Sequence, residues 1–194
     1  MTGIIILAAG SSSRLGQPKQ NLQYKGKTLL QHAVDEALDS GCSPVIVVLG
    51  ANADKIKFGT DGVTVLHNPD WQEGMASSIR LGVTEIMKHT VDSVIVMLCD
   101  QPFVDGNLLK TLKLQWQEVG KPIVACSYKG TVGVPVLFDS SLFPELLKLQ
   151  GQEGAKKVLS AYADEIAEVE FEEGSTDIDT AENYHDLISR LNVN

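Results

Sequence analysis

Positive charge is scarce in this chain. Sixteen Lys and Arg face 25 Asp and Glu, for a formal net charge of −9, which works against nonspecific binding to nucleic acid or anionic membrane. Long apolar runs are missing too. None approaches the length of a membrane span, and no basic region precedes the short apolar run at the N-terminus. A cytoplasmic location is expected. Cysteine is limited to Cys42, Cys99 and Cys126, an odd number with no C-x-x-C and no Cys/His spacing suited to zinc. Cys99 and Cys126 lie in apolar runs and read as buried free thiols. The four histidines, His32, His67, His89 and His185, are scattered and read as surface or boundary residues. Repeats, low-complexity tracts and long linkers are absent. At 194 residues and 43% hydrophobic, residues 1–194 are expected to form a single domain around one substantial core.

What is present alternates between strand and helix patterns. Gly3–Leu7, Pro44–Leu49, Ser93–Cys99 and Pro122–Cys126 are continuous apolar runs that predict buried strands, with a short one at Val63–Leu66. Helical spacing places Leu29, Leu30, Ala33, Val34, Ala37 and Leu38 on one face before the stop at Gly41. Ile79, Val83, Ile86 and Met87 form a second stripe, and Leu108, Leu109, Leu112, Trp116 and Val119 a third. Ala51–Phe58 predicts a short helix. Ala167, Val169 and Phe171 alternate with Glu168, Glu170 and Glu172, as in an edge strand with one wet face. Thr180 is a natural N-cap for a last helix carrying Tyr184, Leu187, Ile188 and Leu191. Such alternation predicts a mostly parallel sheet covered on both sides, with ligands outside the carboxyl ends of the strands. The loop after strand one, Asn52, Asn68 with Asp70, and Asp100 would then share one rim.

The loop after strand one reads LAAGSSSRLGQPKQ. Small residues let backbone N–H groups approach phosphate oxygens, and Arg14 and Lys19 supply two cations. A dinucleotide fingerprint is not the source of this pattern. The loop has no G-x-G-x-x-G, and strand two ends in Leu49-Gly50 without an acid for a ribose. Gly26-Lys27-Thr28 imitates the end of a Walker A motif, but Asn21 stands where that motif's first glycine belongs; a turn into the helix at Leu29 explains it better. Asp100 ends an apolar strand, where its carboxylate could hold Mg²⁺ against phosphates or cap the turn before Pro102.

The pattern L-A-A-G-x-S-x-R-L-G-x-P-K from Leu7 to Lys19 resembles the signature of the MobA-like NTP transferases, which include the molybdenum cofactor guanylyl- and cytidylyltransferases. The resemblance continues through Asn68-Pro69-Asp70-Trp71, Gly74-Met75-Ala76-Ser77-Ser78-Ile79-Arg80, Cys99-Asp100-Gln101-Pro102, Gly133-Val134-Pro135-Val136, Gly151-Gln152-Glu153-Gly154-Ala155 and Asp177-Ile178-Asp179-Thr180. It is closest to the molybdopterin cytidylyltransferase branch.

The resemblance implies an α/β fold: a three-layer Rossmann-like sandwich with a mostly parallel sheet, of the nucleotidyltransferase (glycosyltransferase-A-like) type. It implies transfer of NMP from an NTP, with CTP favoured, to a phosphorylated acceptor such as molybdopterin, with Mg²⁺ as cofactor. A molybdenum hydroxylase would receive the product. The rivals are a transferase for another phosphate, such as a sugar 1-phosphate, and a noncatalytic nucleotide-binding or cofactor-delivery protein. Arg14, Lys19 and Asp100 are the expected catalytic residues. Metal binding falls to Asp100 and to Asp177 or Asp179, with Asp179 preferred as the second acid of D-x-D-T. The nucleotide is expected to meet Leu7, Ala8, Ala9, Gly10, Arg14, Lys19, Asn52, Asp70 and Ser78. Asn52 could instead cap the following helix, and Ser78 could simply belong to a helix face. Gln20 is a weaker candidate for the triphosphate. Arg80 could support its loop, touch phosphate or form a surface ion pair, and Trp71 could cover the nucleotide or pack. The glycine-bearing stretches 130–135 and 151–155 are expected to bind the acceptor as loops. Val134 stands where the cytidylyltransferases often show His, which removes a polar group.

Overall fold

The computed structural model describes residues 1–191, the last by its backbone alone. Nine strands are found among them: β1 (Thr2–Ala8), β2 (Gln23–Tyr24), β3 (Lys27–Thr28), β4 (Val45–Leu49), β5 (Val63–His67), β6 (Ser93–Leu98), β7 (Ile123–Tyr128), β8 (Thr131–Asp139) and β9 (Ile166–Glu170). The helices are α1 (Leu29–Asp39), α2 (Met75–Ile86), α3 (Gly106–Val119), α4 (Phe143–Leu147), α5 (Ala155–Ala161) and α6 (Ala181–Leu191). Seven strands form one sheet in the order β5-β4-β1-β6-β8-β7-β9, and β2 pairs with β3 in a separate hairpin. Only β8 runs against its neighbours in the large sheet.

The sheet is apolar on both faces because its central strands are almost continuously apolar; the buried Thr2 and Ser93 hydroxyls bond to each other at 2.9 Å. In β1, Ile4, Ile6 and Ala8 enter one core while Ile5 and Leu7 enter the other. β4 and β6 divide in the same way, as the period of two requires. Helices α1 and α3 cover the first face; α2, α4 and α5 cover the second. Burying each of these Ile, Val or Leu side chains contributes about 1.5–3 kcal/mol. A third cluster joins Tyr24 and Leu29 to Ile178 and Leu187, and so seats α6 against the β2–β3 hairpin.

The expected sandwich and its mostly parallel sheet are present, with several local differences. Thr28 Oγ accepts the Gln31 N–H (3.1 Å) and caps α1, which accounts for the Gly-Lys-Thr string. Ala51–Phe58 is not a helix; only a 3-10 turn forms at Ala53–Lys55, entered by Asn52 in the left-handed region (φ 57°). Leu38, Met87 and Val119 sit exposed at the ends of their helices. Residues 130–135 are not a loop: most of the stretch belongs to β8. Register between β7 and β8 shifts after Ala125↔Val136, so that Cys126 faces Gly133 and Val134-Pro135 bulge outward. Proline has no N–H to give a ladder, and a bulge is where a sheet tolerates it. β9 is the edge strand its alternation predicts. All three cysteines are buried and free.

Candidate active site

The carboxyl ends of β1, β4, β5 and β6 point to one rim. There the loop after β1 folds back on itself. Gln20 is fully buried, and its Nε2 donates to the carbonyls of Ala8 (2.7 Å) and Gly10 (3.2 Å). Ser12, in the left-handed region at φ 54°, accepts the Lys19 N–H on its Oγ at 3.0 Å. These bonds brace both ends of the loop and fix where the Lys19 side chain starts. Gly50 lets neighbouring segments close in, since a Cβ there would come within 2.6 Å of the Trp71 Cβ and 2.8 Å of the Ala9 Cβ.

Lys19 Nζ donates to Asp100 Oδ2 and, at 2.9 Å, to Asp179 Oδ1; Arg14 donates to Asp179 Oδ2 at 2.8 Å. Three remote segments therefore meet at one ammonium. Asp100 arrives directly from the end of β6. Asp179 is placed by its neighbour: Ile178 is fully buried in the third cluster and its N–H donates to the Asp100 carbonyl at 3.1 Å. Thr180 then caps α6, accepting the Asn183 N–H (3.2 Å) and donating to Asn183 Oδ1 (2.8 Å). Gln101 ties the same corner together, its Nε2 donating to the carbonyls of Val134 (3.1 Å) and Gly174 (3.0 Å).

Burial dominates the electrostatics. Asp100 is only 5% exposed, and loss of solvent pushes its carboxyl above the ordinary range, with Lys19 pulling the other way. Burial acts to lower the Lys19 ammonium, but the Asp100 carboxylate overrides it and the net direction is upward. Asp179 is partly desolvated, yet Lys19 and Arg14 hold its carboxyl below the usual value. Desolvation also pushes the adjacent Cys99 thiol to about 12, so it is inert as a nucleophile at neutral pH.

Lys19 and Asp100 form part of the wall of a cavity of about 300 Å³ that also meets Leu7, Ala8, Ala9, Gly10, Ser11, Trp71 and Ser78. A second cavity, about 310 Å³, adjoins it through Leu7, Met75, Leu98 and Gln152 and extends to Val96, Tyr128, Val132, Val134 and Lys156. It opens where β8 bulges away beyond its last pairing with β6, Val96↔Val136. A more open depression, about 790 Å³, lies between α5 and β9 and bears Glu168, Glu170 and Glu172. Three carboxylates outnumber Lys129 and Lys156 there, which disfavours a triphosphate, so the cavity at Lys19 is the nucleotide candidate.

The 151–155 stretch is pinned to the start of α2. Arg80 pairs with both carboxylate oxygens of Glu73 (2.8 and 2.6 Å) and donates to the Leu149 carbonyl at 2.7 Å. Glu73 Oε1 accepts the Gly151 N–H (3.1 Å), and the Gly151 carbonyl accepts the Ala76 N–H (3.2 Å). Arg80 thus forms an ion pair and supports the loop that presents Gln152 to both cavities. Glu73 precedes the helix, in a 3-10 turn separated from α2 by Gly74 at φ 130°, so no helical periodicity in the sequence marks this clamp.

Residues 4–166 match the MobA-like NTP transferase domain. The chain belongs to this family. It is 30% identical to nicotine blue oxidoreductase of Paenarthrobacter nicotinovorans, over 97% of this chain and 96% of that protein. It is 24% identical to the molybdenum cofactor cytidylyltransferase of Escherichia coli K12, over 93% and 92%. Among solved structures, Rv0371c of Mycobacterium tuberculosis H37Rv in complex with manganese superposes with a TM-score of 0.78 at 28% identity, covering 97% of each chain. Family membership makes this an NTP transferase fold, and no helix among the described residues is long and apolar enough to cross a membrane.

Within that family frame, the structure brings Arg14, Lys19, Asp100 and Asp179 together and leaves Asp177 exposed. Leu7, Ala8, Ala9, Gly10 and Ser78 line the first cavity. Asn52 does not: its carbonyl accepts the Lys55 N–H (2.8 Å) and its side chain caps nothing. Asp70 is exposed, held by its N–H to Asn68 Oδ1 (2.9 Å) and outside the cavity lining. Gln20, Gln101 and Gln152 prove more central than their sequence signals suggested. An isolated glutamine carries no spacing or charge that marks it.

The donor set fits a hard divalent cation. Two carboxylates meet at a single cationic point, and Asp100 Oδ1 is buried with no hydrogen-bond partner. No group of three or more His, Cys, Asp or Glu suited to a metal occurs among the described residues. A cation held by Asp100 and Asp179 would complete its shell from phosphates and water, the usual habit of Mg²⁺.

Proposed function

We propose that this protein transfers an NMP group from an NTP, with CTP favoured, to the phosphate of molybdopterin and releases pyrophosphate, using Mg²⁺, in the cytoplasm. The convergence of Arg14, Lys19, Asp100 and Asp179 beside the 300 Å³ cavity carries this reading. Nucleotidyl transfer concentrates negative charge around the α-phosphorus, and this corner holds two cations and two carboxylates, of which Lys19 and Asp100 are largely desolvated. CTP is favoured by the cytidylyltransferase relative and by the forms of the Cys99-Asp100-Gln101-Pro102 and Asn68–Arg80 strings. The oxidoreductase name of another relative is not carried over, because the first loop lacks a dinucleotide fingerprint and β4 ends without a ribose-binding acid.

In this reading an acceptor phosphate oxygen forms a bond to the α-phosphorus as the bond to pyrophosphate breaks. Lys19 and Arg14 neutralise the phosphate oxygens, and the braced loop from Ala8 to Ser12 presents N–H groups to them. Leu7, Ala8 and Ala9 offer backbone groups to the base, with Ser78 beside them. Asp100 and Asp179 would hold Mg²⁺, whose chemistry is to offset charge on the phosphates. The acceptor occupies the second cavity, and the Glu73–Arg80 clamp keeps Gln152 at the junction. The phosphate is already ionised at neutral pH, so no strong general base is needed. A molybdenum hydroxylase is the proposed recipient of the product.

The test is pyrophosphate release with each NTP in Mg²⁺, with and without molybdopterin. Release is expected with CTP and molybdopterin together and is expected to vanish in Asp100→Ala. Release that persists undiminished in that variant overturns the proposal.

A further inference from the structure

Lys19 Nζ sits at the very point the Asp100 and Asp179 carboxylates share. A dication and an ammonium cannot both occupy it. We propose that Lys19 is a movable counter-ion, which keeps the carboxylate pair closed to divalent cations until a triphosphate draws its side chain away, so that metal and nucleotide bind cooperatively. The inference rests on the reading of Asp100 and Asp179 as metal ligands and adds how access to them is controlled.

Three observations carry it. First, the charges balance: Asp100 and Asp179 face Lys19 and Arg14. An incoming dication meets a neutral cluster with an ammonium in its way. Second, the two carboxylates differ in what remains once Lys19 leaves. Asp179 keeps Arg14 on its other oxygen. Asp100 is buried, its Oδ1 already lacks a partner, and Lys19 is its sole ion-pair partner among the described residues. Departure of Lys19 leaves Asp100 as an uncompensated buried charge, which is strongly unfavourable unless another cation arrives. Third, only the side chain has to move. The Lys19 backbone is held by Ser12 Oγ and by a 3-10 turn at Lys19–Asn21, while its flexible stem lies in the wall of the same cavity as Gly10 and Ser11. A triphosphate against that loop competes directly for the ammonium. Because linkage is reciprocal, whatever nucleotide does for metal affinity, metal does for nucleotide affinity.

The experiment measures Mn²⁺ binding to the full chain without nucleotide, from the electron paramagnetic resonance signal of free Mn²⁺. Wild type is expected to bind weakly. Lys19→Met, which keeps the stem and removes the charge, is expected to bind at least tenfold more tightly and to show a larger Mn²⁺-induced rise in melting temperature. Lys19→Arg is expected to remain as weak as wild type, and Lys19→Met with Asp100→Asn to lose the gain. Lys19→Gln serves the same purpose as Lys19→Met if the latter fails to fold. Equal or weaker Mn²⁺ binding by the folded neutral variants, with binding still abolished by Asp100→Asn, overturns the counter-ion role and leaves the metal ligands standing. Absence of Mn²⁺ binding in every form, with a nonhydrolysable CTP analogue present or absent, overturns the metal assignment itself.

Discussion

Replacing Lys19 by Met should reveal how much of the fold's stability depends on the site. Methionine fills the space of the aliphatic stem, so packing changes little. What is lost is the partner of a carboxylate that is 5% exposed. Removing one member of a buried ion pair typically costs about 3–5 kcal/mol, a large share of the roughly 5–15 kcal/mol available to a domain. Adding Asp100→Asn removes the orphaned charge at nearly constant shape, so the double variant should recover most of the loss. The loss should also depend on pH. Burial holds the folded-state carboxyl of Asp100 above its ordinary value of 3.8, and removing Lys19 removes a lowering influence and raises it further. A group whose folded pKa is raised contributes stability at low pH that disappears as pH climbs through the folded value. Lys19→Met should therefore lose less stability at pH 5 than at pH 8. Urea unfolding of wild type, both single variants and the double variant at the two pH values closes the cycle. A loss below about 1 kcal/mol at pH 8, a larger loss at pH 5, or no recovery in the double variant refutes the reasoning.

Gly74→Ala should destabilise by about 2–4 kcal/mol, because Gly74 sits at φ 130° and a Cβ would overlap the Gly151 carbonyl; a denaturation midpoint equal to wild type would contradict this. Gln101→Leu strips donors from the Val134 and Gly174 carbonyls and should cost about 1–3 kcal/mol, read in the same urea titration. The thiols should be silent toward Ellman's reagent in the native protein and titrate as three groups after denaturation, since all are buried and burial lifts Cys99 and Cys126 to about 12; rapid native labelling of either would show the core to be open.

The strands β1, β4 and β6 were legible because they are almost continuously apolar, a pattern that two-sided burial demands. β8 was not. Its Gly133, Val134 and Pro135 look like a loop because period-2 reasoning fails across a bulge, and it is the bulge that opens the second cavity. The short helix expected after β4 shrank to one 3-10 turn: Asn52 takes a left-handed conformation and Ile56 turns extended to pack into the core. At the site, charge and position marked Arg14, Lys19 and Asp100, whereas Asp179 was marked by the family resemblance, with Asp177 as its alternative. The meeting of Arg14, Lys19, Asp100 and Asp179 involves contacts between remote segments, among them the Ile178 N–H to the Asp100 carbonyl and the burial of the Ile178 side chain, which no spacing in the chain encodes.

The sheet topology explains why such remote residues meet at all. β1, β4, β5, β6, β7 and β9 all run the same way, so their carboxyl ends lie toward one rim, and β8, alone antiparallel, begins there. One cavity wall is therefore made of strand ends, Leu7 and Leu98, and the facing wall of a strand's first residues, Val132 to Val134. β9 returns the chain to the rim once more, where Gly174 accepts from Gln101 and Asp179 from Lys19. A wholly parallel sheet would need a crossover to place Val134 beside Leu98, whereas the β7–β8 hairpin does it with a tight turn at Lys129-Gly130, both in the left-handed region. The reversal of one strand thus places the second cavity against the nucleotide cavity, and the closing path through β9 supplies the second carboxylate to the junction that Asp100 begins.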